Sequence, residues 1–184
     1  MSEPIEVFLV TKNQDKLMAA RSVFSKYGIG LVQLDKDYPE IQADTSLEVA
    51  RFTALNVAKE ERLNVIREDH GIFFGSLGFP GPYANFMNRK IPEEMLLEFL
   101  NSVHVNMGHI ELSAVYAQSD GRYKEYSYRV PFSVAEEPRG IFSKGWNRVI
   151  ILDGEERTLA EYREEDRLDV FNKNFHAIAK DLLV

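Results

Sequence analysis

The apolar positions change rhythm along the chain, and each rhythm predicts an element. Ile5–Val10 (IEVFLV) is a near-continuous apolar run, the pattern of a strand covered on both faces. Leu17, Ala20, Phe24 and Tyr27 then fall at helical spacing, with Gly28 as the stop. Gly30–Leu34 reads as a second strand. Thr45-Ser46-Leu47-Glu48 matches a capping box, opening a helix to about Glu61 whose Ala50, Ala54, Val57 and Ala58 form a face small enough to pack closely on a sheet. Asn64–Arg67 is a third strand.

Beyond it, Ala84–Asn88 predicts a short helix. Pro92 opens another at Glu93–Asn101, with Met95, Leu96, Phe99 and Leu100 inward. His109–Gln118 alternates as a half-buried antiparallel strand. Ser119–Arg122 is a hairpin turn, and Tyr126, Tyr128, Val130, Phe132 and Val134 alternate on the return. Val149–Leu152 is a further strand, and Asp169–Leu183 a last helix with Phe171, Phe175, Ile178 and Leu182 on one face. The order β-α-β-α-β, helices, hairpin, strand, helix predicts an α/β fold: a mixed sheet with helices on its faces, in one domain over residues 1–184.

Composition narrows the function classes. The 184 residues suffice for a substantial core, and 45% hydrophobic with 28% charged is ordinary for a globular chain. A net charge of −7 argues against a nucleic-acid partner. Without cysteine there is no disulfide framework, thiolate zinc site or cysteine nucleophile. No apolar run approaches the length of a membrane span. These features predict a soluble, cytoplasmic protein.

Candidate chemistry centres on Val65–Tyr83, VIREDHGIFFGSLGFPGPY. It places Glu68 and Asp69 at an expected strand end, followed by His70 and a bend stiffened by Gly78, Pro80, Gly81 and Pro82. Hard carboxylate oxygens beside a stiff loop suit a metal-assisted hydrolase, although a solvated turn would look the same. The first strand, loop and helix could offer backbone N–H groups to a phosphate, with Lys16 as a cation.

Four strings in order carry a family resemblance: Thr11-x-Asn13-x-x-Lys16, Tyr38-Pro39-Glu40-Ile41-Gln42, Glu68-Asp69-His70-Gly71 and Gly78-Phe79-Pro80-Gly81-Pro82-Tyr83. It continues through Gly145-Trp146, Asp153-Gly154 and Thr158-Leu159-Ala160-Glu161. The chain resembles the inosine triphosphate pyrophosphatase family, which hydrolyses inosine and xanthosine triphosphates to the monophosphate and pyrophosphate. The resemblance implies an elongated mixed α/β fold, two lobes around a central nucleotide cleft, and a homodimer. It implies a nucleoside triphosphate held by Thr11, Lys12, Asn13 and Lys16. Glu40 and Asp69 would bind Mg2+, Asp69 would be the general base with Glu68 in support, and Trp146 would stack on the base.

The departures fall mostly in base recognition. Lys12 stands for a glycine, His70 for Ser or Thr, and Thr53 for a lysine. An aromatic-glycine-aromatic-aspartate string becomes Lys144-Gly145-Trp146-Asn147. A family lysine falls on Arg167, and a Ser-His-Arg string on Phe171-Asn172-Lys173. His70, Asn147, Arg167, Asn172 and Lys173 therefore join the expected substrate contacts with altered chemistry. The alternative is a nucleotide-binding protein, a sensor or scaffold, with lost or weak catalysis.

Overall fold

The structure is a computed structural model describing residues 5–184, except for the side chains of Glu164, Glu165, Arg167 and Leu168. In chain order the elements are β1 (Glu6–Val10), α1 (Gln14–Phe24), β2 (Gly30–Leu34), α2 (Ser46–Glu61), β3 (Val65–Phe74), β4 (Phe79–Gly81), α3 (Ala84–Asn88), α4 (Glu93–Ser102), β5 (Met107–Ala117), β6 (Tyr123–Val134), β7 (Ile150–Leu152), α5 (Glu164–Phe171) and α6 (Lys173–Leu182). The strand order is β2-β1-β3-β5-β6-β7, with β4 on β3. This is the mixed α/β fold expected. The chain divides into two compact units, and β3, β5 and β6 each run through both.

The first unit holds the chain up to Asp69, Leu112–Tyr128 and Asp169–Val184. Its β1 pairs in parallel with β2 on one side and β3 on the other. Asn13 caps α1, its Oδ1 accepting from the N–H groups of Asp15 (2.8 Å) and Lys16 (3.2 Å). Gly28, at φ +69°, ends the turn that follows α1 in the left-handed region that glycine reaches cheaply. The capping box of α2 forms as expected: Thr45 Oγ1 accepts from Glu48 N–H, and Glu48 Oε2 accepts from Thr45 N–H. The small face of α2 packs Ala50, Ala54, Val57 and Ala58 on Val10, Val65, Val115 and Ala117. On α6, Phe175 meets Phe24 of α1 edge-on, ring centroids 6.0 Å apart.

The second unit comprises His70–Glu111 and Arg129–Leu168. Phe74 is buried at its centre, edge-on to both Phe132 (5.5 Å) and Trp146 (5.7 Å). Here β4 pairs antiparallel with β3, and β7 with β6.

Four expectations change. Strand β3 continues to Phe74, so Glu68 and Asp69 lie inside it; Gly71 does not end it, because Ile72–Phe74 pair with Phe79–Gly81. On α4 the buried side chains are Leu96, Leu97 and Leu100, while Met95 is 57% exposed and Phe99 is exposed too. The apolar residues of this helix fill a wide arc that includes both Met95/Phe99 and Leu97, so spacing alone could not choose which part of it faces inward. From Ile110 onward β5 is buried on both faces rather than alternating. The last helix is two, α5 and α6, parted at Asn172, a residue poorly suited to a helix interior.

Candidate active site

The connectivity of the first unit singles out one place. Helix α1 carries the chain from β1 to β2 on one side, and α2 carries it back across β1 to β3 on the other. Right-handed crossovers in opposite directions put α1 and α2 on opposite faces of these strands. The loops leaving the C-terminal ends of β1 and β2 therefore part, and a crevice opens at the end of β1. Ligands of parallel α/β sheets bind at such a switch point.

Thr11, Lys12 and Asn13 leave β1 directly into that place. Thr11 is buried; its Oγ1 accepts from Asn13 N–H at 3.1 Å and its carbonyl from Gln33 Nε2 at 3.0 Å. The loop is thus fixed from within. Lys12 is exposed and pairs with Asp37 at 2.6 Å; that hydrogen bond raises its pKa. Lys16 reaches β3, its Nζ donating to the Glu68 carbonyl at 3.2 Å and lying 3.9 Å from Glu68 Oε2.

Glu40 lies in the segment joining β2 to α2. Lys36 and Tyr38 anchor the start of that segment on Glu61. Burial, reinforced by Glu61, pushes the Tyr38 hydroxyl up to about 12. Thr45 and its capping box fix the other end. Between them the Glu40 carboxylate accepts from Nη2 of Arg67, whose Nη1 donates to the Val10 carbonyl at 3.0 Å. Arg67 drew no attention in the sequence. The signal was available, since it stands two residues before Asp69 in a strand and shares its face.

Alternation separates the acidic pair. Val65 belongs to the core under α2, so Arg67 and Asp69 lie on that side of β3. Glu68, 3% exposed, turns to the opposite face, where Lys16 of α1 meets it. The structure thus draws together Thr11, Lys12, Asn13 and Lys16 after β1, with Glu40 tied to the Asp69 face and Glu68 behind. His70 follows on β3, half-buried.

Among the described residues no group of three or more His, Cys, Asp and Glu side chains converges to hold a metal. Glu40 and Asp69 supply the hard carboxylate oxygens that a divalent cation takes when water and phosphate oxygens complete its shell.

Of the remaining expected residues, Trp146 and Asn147 belong to the second unit, and Asn172 and Lys173 to the first. Trp146 is 1% exposed. Its backbone N–H donates to Asn88 Oδ1 and its indole N–H to the Ile91 carbonyl, both at 2.9 Å. The enclosed ring also packs edge-on against Phe74 in the second unit. Asn147 beside it is half-buried. Asn172 is buried at the start of α6 with no partner for its Oδ1, and Lys173 next to it is exposed. The Arg167 side chain lies outside the described residues. No helix among the described residues is long and apolar enough to cross a membrane.

Comparison with known proteins agrees with this fold. The model of the Ham1 family matches residues 7–180. A dITP/XTP pyrophosphatase of Thermococcus kodakarensis is 35% identical over 159 residues, 86% of this chain and 85% of that protein. One from Methanopyrus kandleri is 31% identical over 170 residues, 92% of this chain and 90% of that protein. Among solved structures, a Ham1 protein from Coxiella burnetii superposes with a TM-score of 0.82 at 18% identity, covering 97% of this chain and 98% of the other. The Staphylococcus aureus Ham1 protein gives 0.79 at 20%, covering 96% and 97%. At those identities the structures speak for the fold.

Proposed function

Because the chain belongs to the Ham1 family, we propose that it hydrolyses noncanonical purine nucleoside triphosphates, such as those of inosine and xanthosine, to the monophosphate and pyrophosphate. The observation that carries this reading is the switch point at the end of β1. Its loop Thr11–Lys16, the Glu40 segment and Asp69 of β3 supply cations, helix amides and carboxylates in one unit of the structure. The names of the relatives point to the same substrates.

Glu40 and Asp69 are the proposed Mg2+ ligands; the ion would screen the phosphates and polarise the phosphoryl oxygen. Asp69 takes the proton of the water that adds to phosphorus as the α–β anhydride breaks and pyrophosphate leaves. Lys16 and Lys12 meet the phosphates. The α1 amides become donors to phosphate once Asn13 releases them. Glu68 holds Lys16 rather than touching substrate. His70 remains a proposed phosphate contact, and Asn147, Arg167, Asn172 and Lys173 remain proposed contacts to the phosphates or the base.

A second copy of the chain is the proposed partner. Met95, Phe99 and Val103 form an exposed apolar stripe at i, i+4 and i+8 on α4 and its C-terminal cap. Sedimentation of the native chain as a dimer and of Met95→Glu as a monomer supports this. A native monomer overturns it.

Pyrophosphate release from XTP, dITP and the standard triphosphates with magnesium tests the activity. Preferential turnover of XTP and dITP supports it. Tight nucleotide binding without turnover favours a binding protein instead.

A further inference from the structure

Arg67 joins the two loops of the switch point from β3, beside the Lys12–Asp37 pair that links them directly. One arm of its fork is fixed on the Val10 carbonyl at the end of β1, and the other holds Glu40. The side chain is 15% exposed, against 58% for Glu40, so the anchored partner is the arginine. Its Nε is buried without an acceptor, so Val10 and Glu40 are its partners. Asp69 stands two positions along the same face of β3, Cα atoms roughly 7 Å away.

We propose that Arg67 acts on the metal site through Glu40: it is a resident counter-cation that neutralises the carboxylate until a divalent ion takes it over. This rests on the pyrophosphatase reading of the carboxylate site. An arginine here has two opposing effects. It places Glu40, which helps a metal, and it neutralises Glu40, which hinders one. The second effect prevails, because the Glu40 segment is already pinned by Lys36 and Tyr38 at one end and by the Thr45 cap at the other. What Arg67 adds is charge, and a divalent ion must displace that charge from the carboxylate.

The test uses Mn2+ alone, without nucleotide, followed by the loss of the free-ion signal in electron paramagnetic resonance. Arg67→Met removes the charge and keeps the length, and it binds Mn2+ roughly fivefold more tightly than the native chain, the scale of one partly exposed ion pair. Arg67→Lys can reach Val10 or Glu40 but not both, and it shows a smaller gain in the same direction. Adding Glu40→Gln to Arg67→Met abolishes the gain. Thermal unfolding identifies a variant that has failed to fold, and the lysine variant then carries the test alone. Affinity that is unchanged or weaker in the folded variants overturns the proposal, as does a gain that survives Glu40→Gln.

Turnover is read separately. If the native chain releases pyrophosphate while neither Arg67 variant gains Mn2+ affinity, only this inference falls. If the native chain turns over no triphosphate, the pyrophosphatase reading falls, whatever the titration shows.

Discussion

Lys16 Nζ lies 3.2 Å from the carbonyl oxygen of Glu68 and 3.9 Å from its Oε2. The first turn of α1 is thereby fastened to the acidic segment of β3. The lysine also serves a carboxylate that is almost wholly buried. Lys16→Met removes both contacts at nearly constant length. It is expected to lower stability by about 1–3 kcal/mol, the cost of withdrawing a partner from a buried polar group, and to raise KM for the magnesium–triphosphate. Urea unfolding and steady-state kinetics check the two effects. Unchanged stability would mean that this contact does not hold Glu68.

Trp146 is the one tryptophan of the chain, and it is enclosed by Phe74, Asn88 and Ile91. Its fluorescence is expected to be blue-shifted in the native state and to stay so when nucleotide is added. Trp146→Ala should cost about 3–5 kcal/mol. A nucleotide-induced shift or quench of the indole emission would return this residue to the base pocket.

The parallel strands and both caps of the first unit were legible because each is a local signal. An apolar run marks β1, Gly28 stops the turn after α1, and Thr45 with Glu48 opens α2. The centre of the inner face of α4 was not, since its apolar arc is wider than the face it buries. At the site, the residue types were legible from their strings, but their grouping depends on topology. Glu40 meets Arg67 across a segment without helix or strand, and no spacing rule describes that path. The opposite facing of Glu68 and Asp69 was hidden by ending the third strand at Arg67.

Gly140 has φ +92°, and a Cβ there would lie 2.3 Å from the backbone carbon of Ala160. The neighbouring chain cannot yield, because Phe142 N–H donates to the Ala160 carbonyl at 2.9 Å and Thr158 Oγ1 to the Arg139 carbonyl at 3.0 Å. Gly140→Ala is expected to destabilise the chain by about 2 kcal/mol or more. A change in urea-unfolding free energy within about 0.5 kcal/mol would contradict this.

His109 stacks on Phe73 with centroids 4.9 Å apart and rings 3° from parallel. Burial, and then nearby Arg129, lower its pKa. The folded chain thus resists a proton that the unfolded chain accepts at about pH 6.5. The stability this contributes is complete above that pH and is lost as pH falls toward the lower folded-state value. Melting temperature should therefore drop more in the native chain than in His109→Phe between about pH 7.5 and pH 5.5. Equal drops would show that His109 titrates alike folded and unfolded.

On the proposed reading, Asp69 of β3 and Glu40 form the hydrolytic site at the end of β1. Pyrophosphate release from XTP and dITP with magnesium, compared among the native chain, Asp69→Asn and Glu40→Gln, tests it most directly. Expected are turnover by the native chain, a fall of at least about a hundredfold in Asp69→Asn, and a clear loss in Glu40→Gln that excess magnesium partly restores. Native-level release by Asp69→Asn would contradict it.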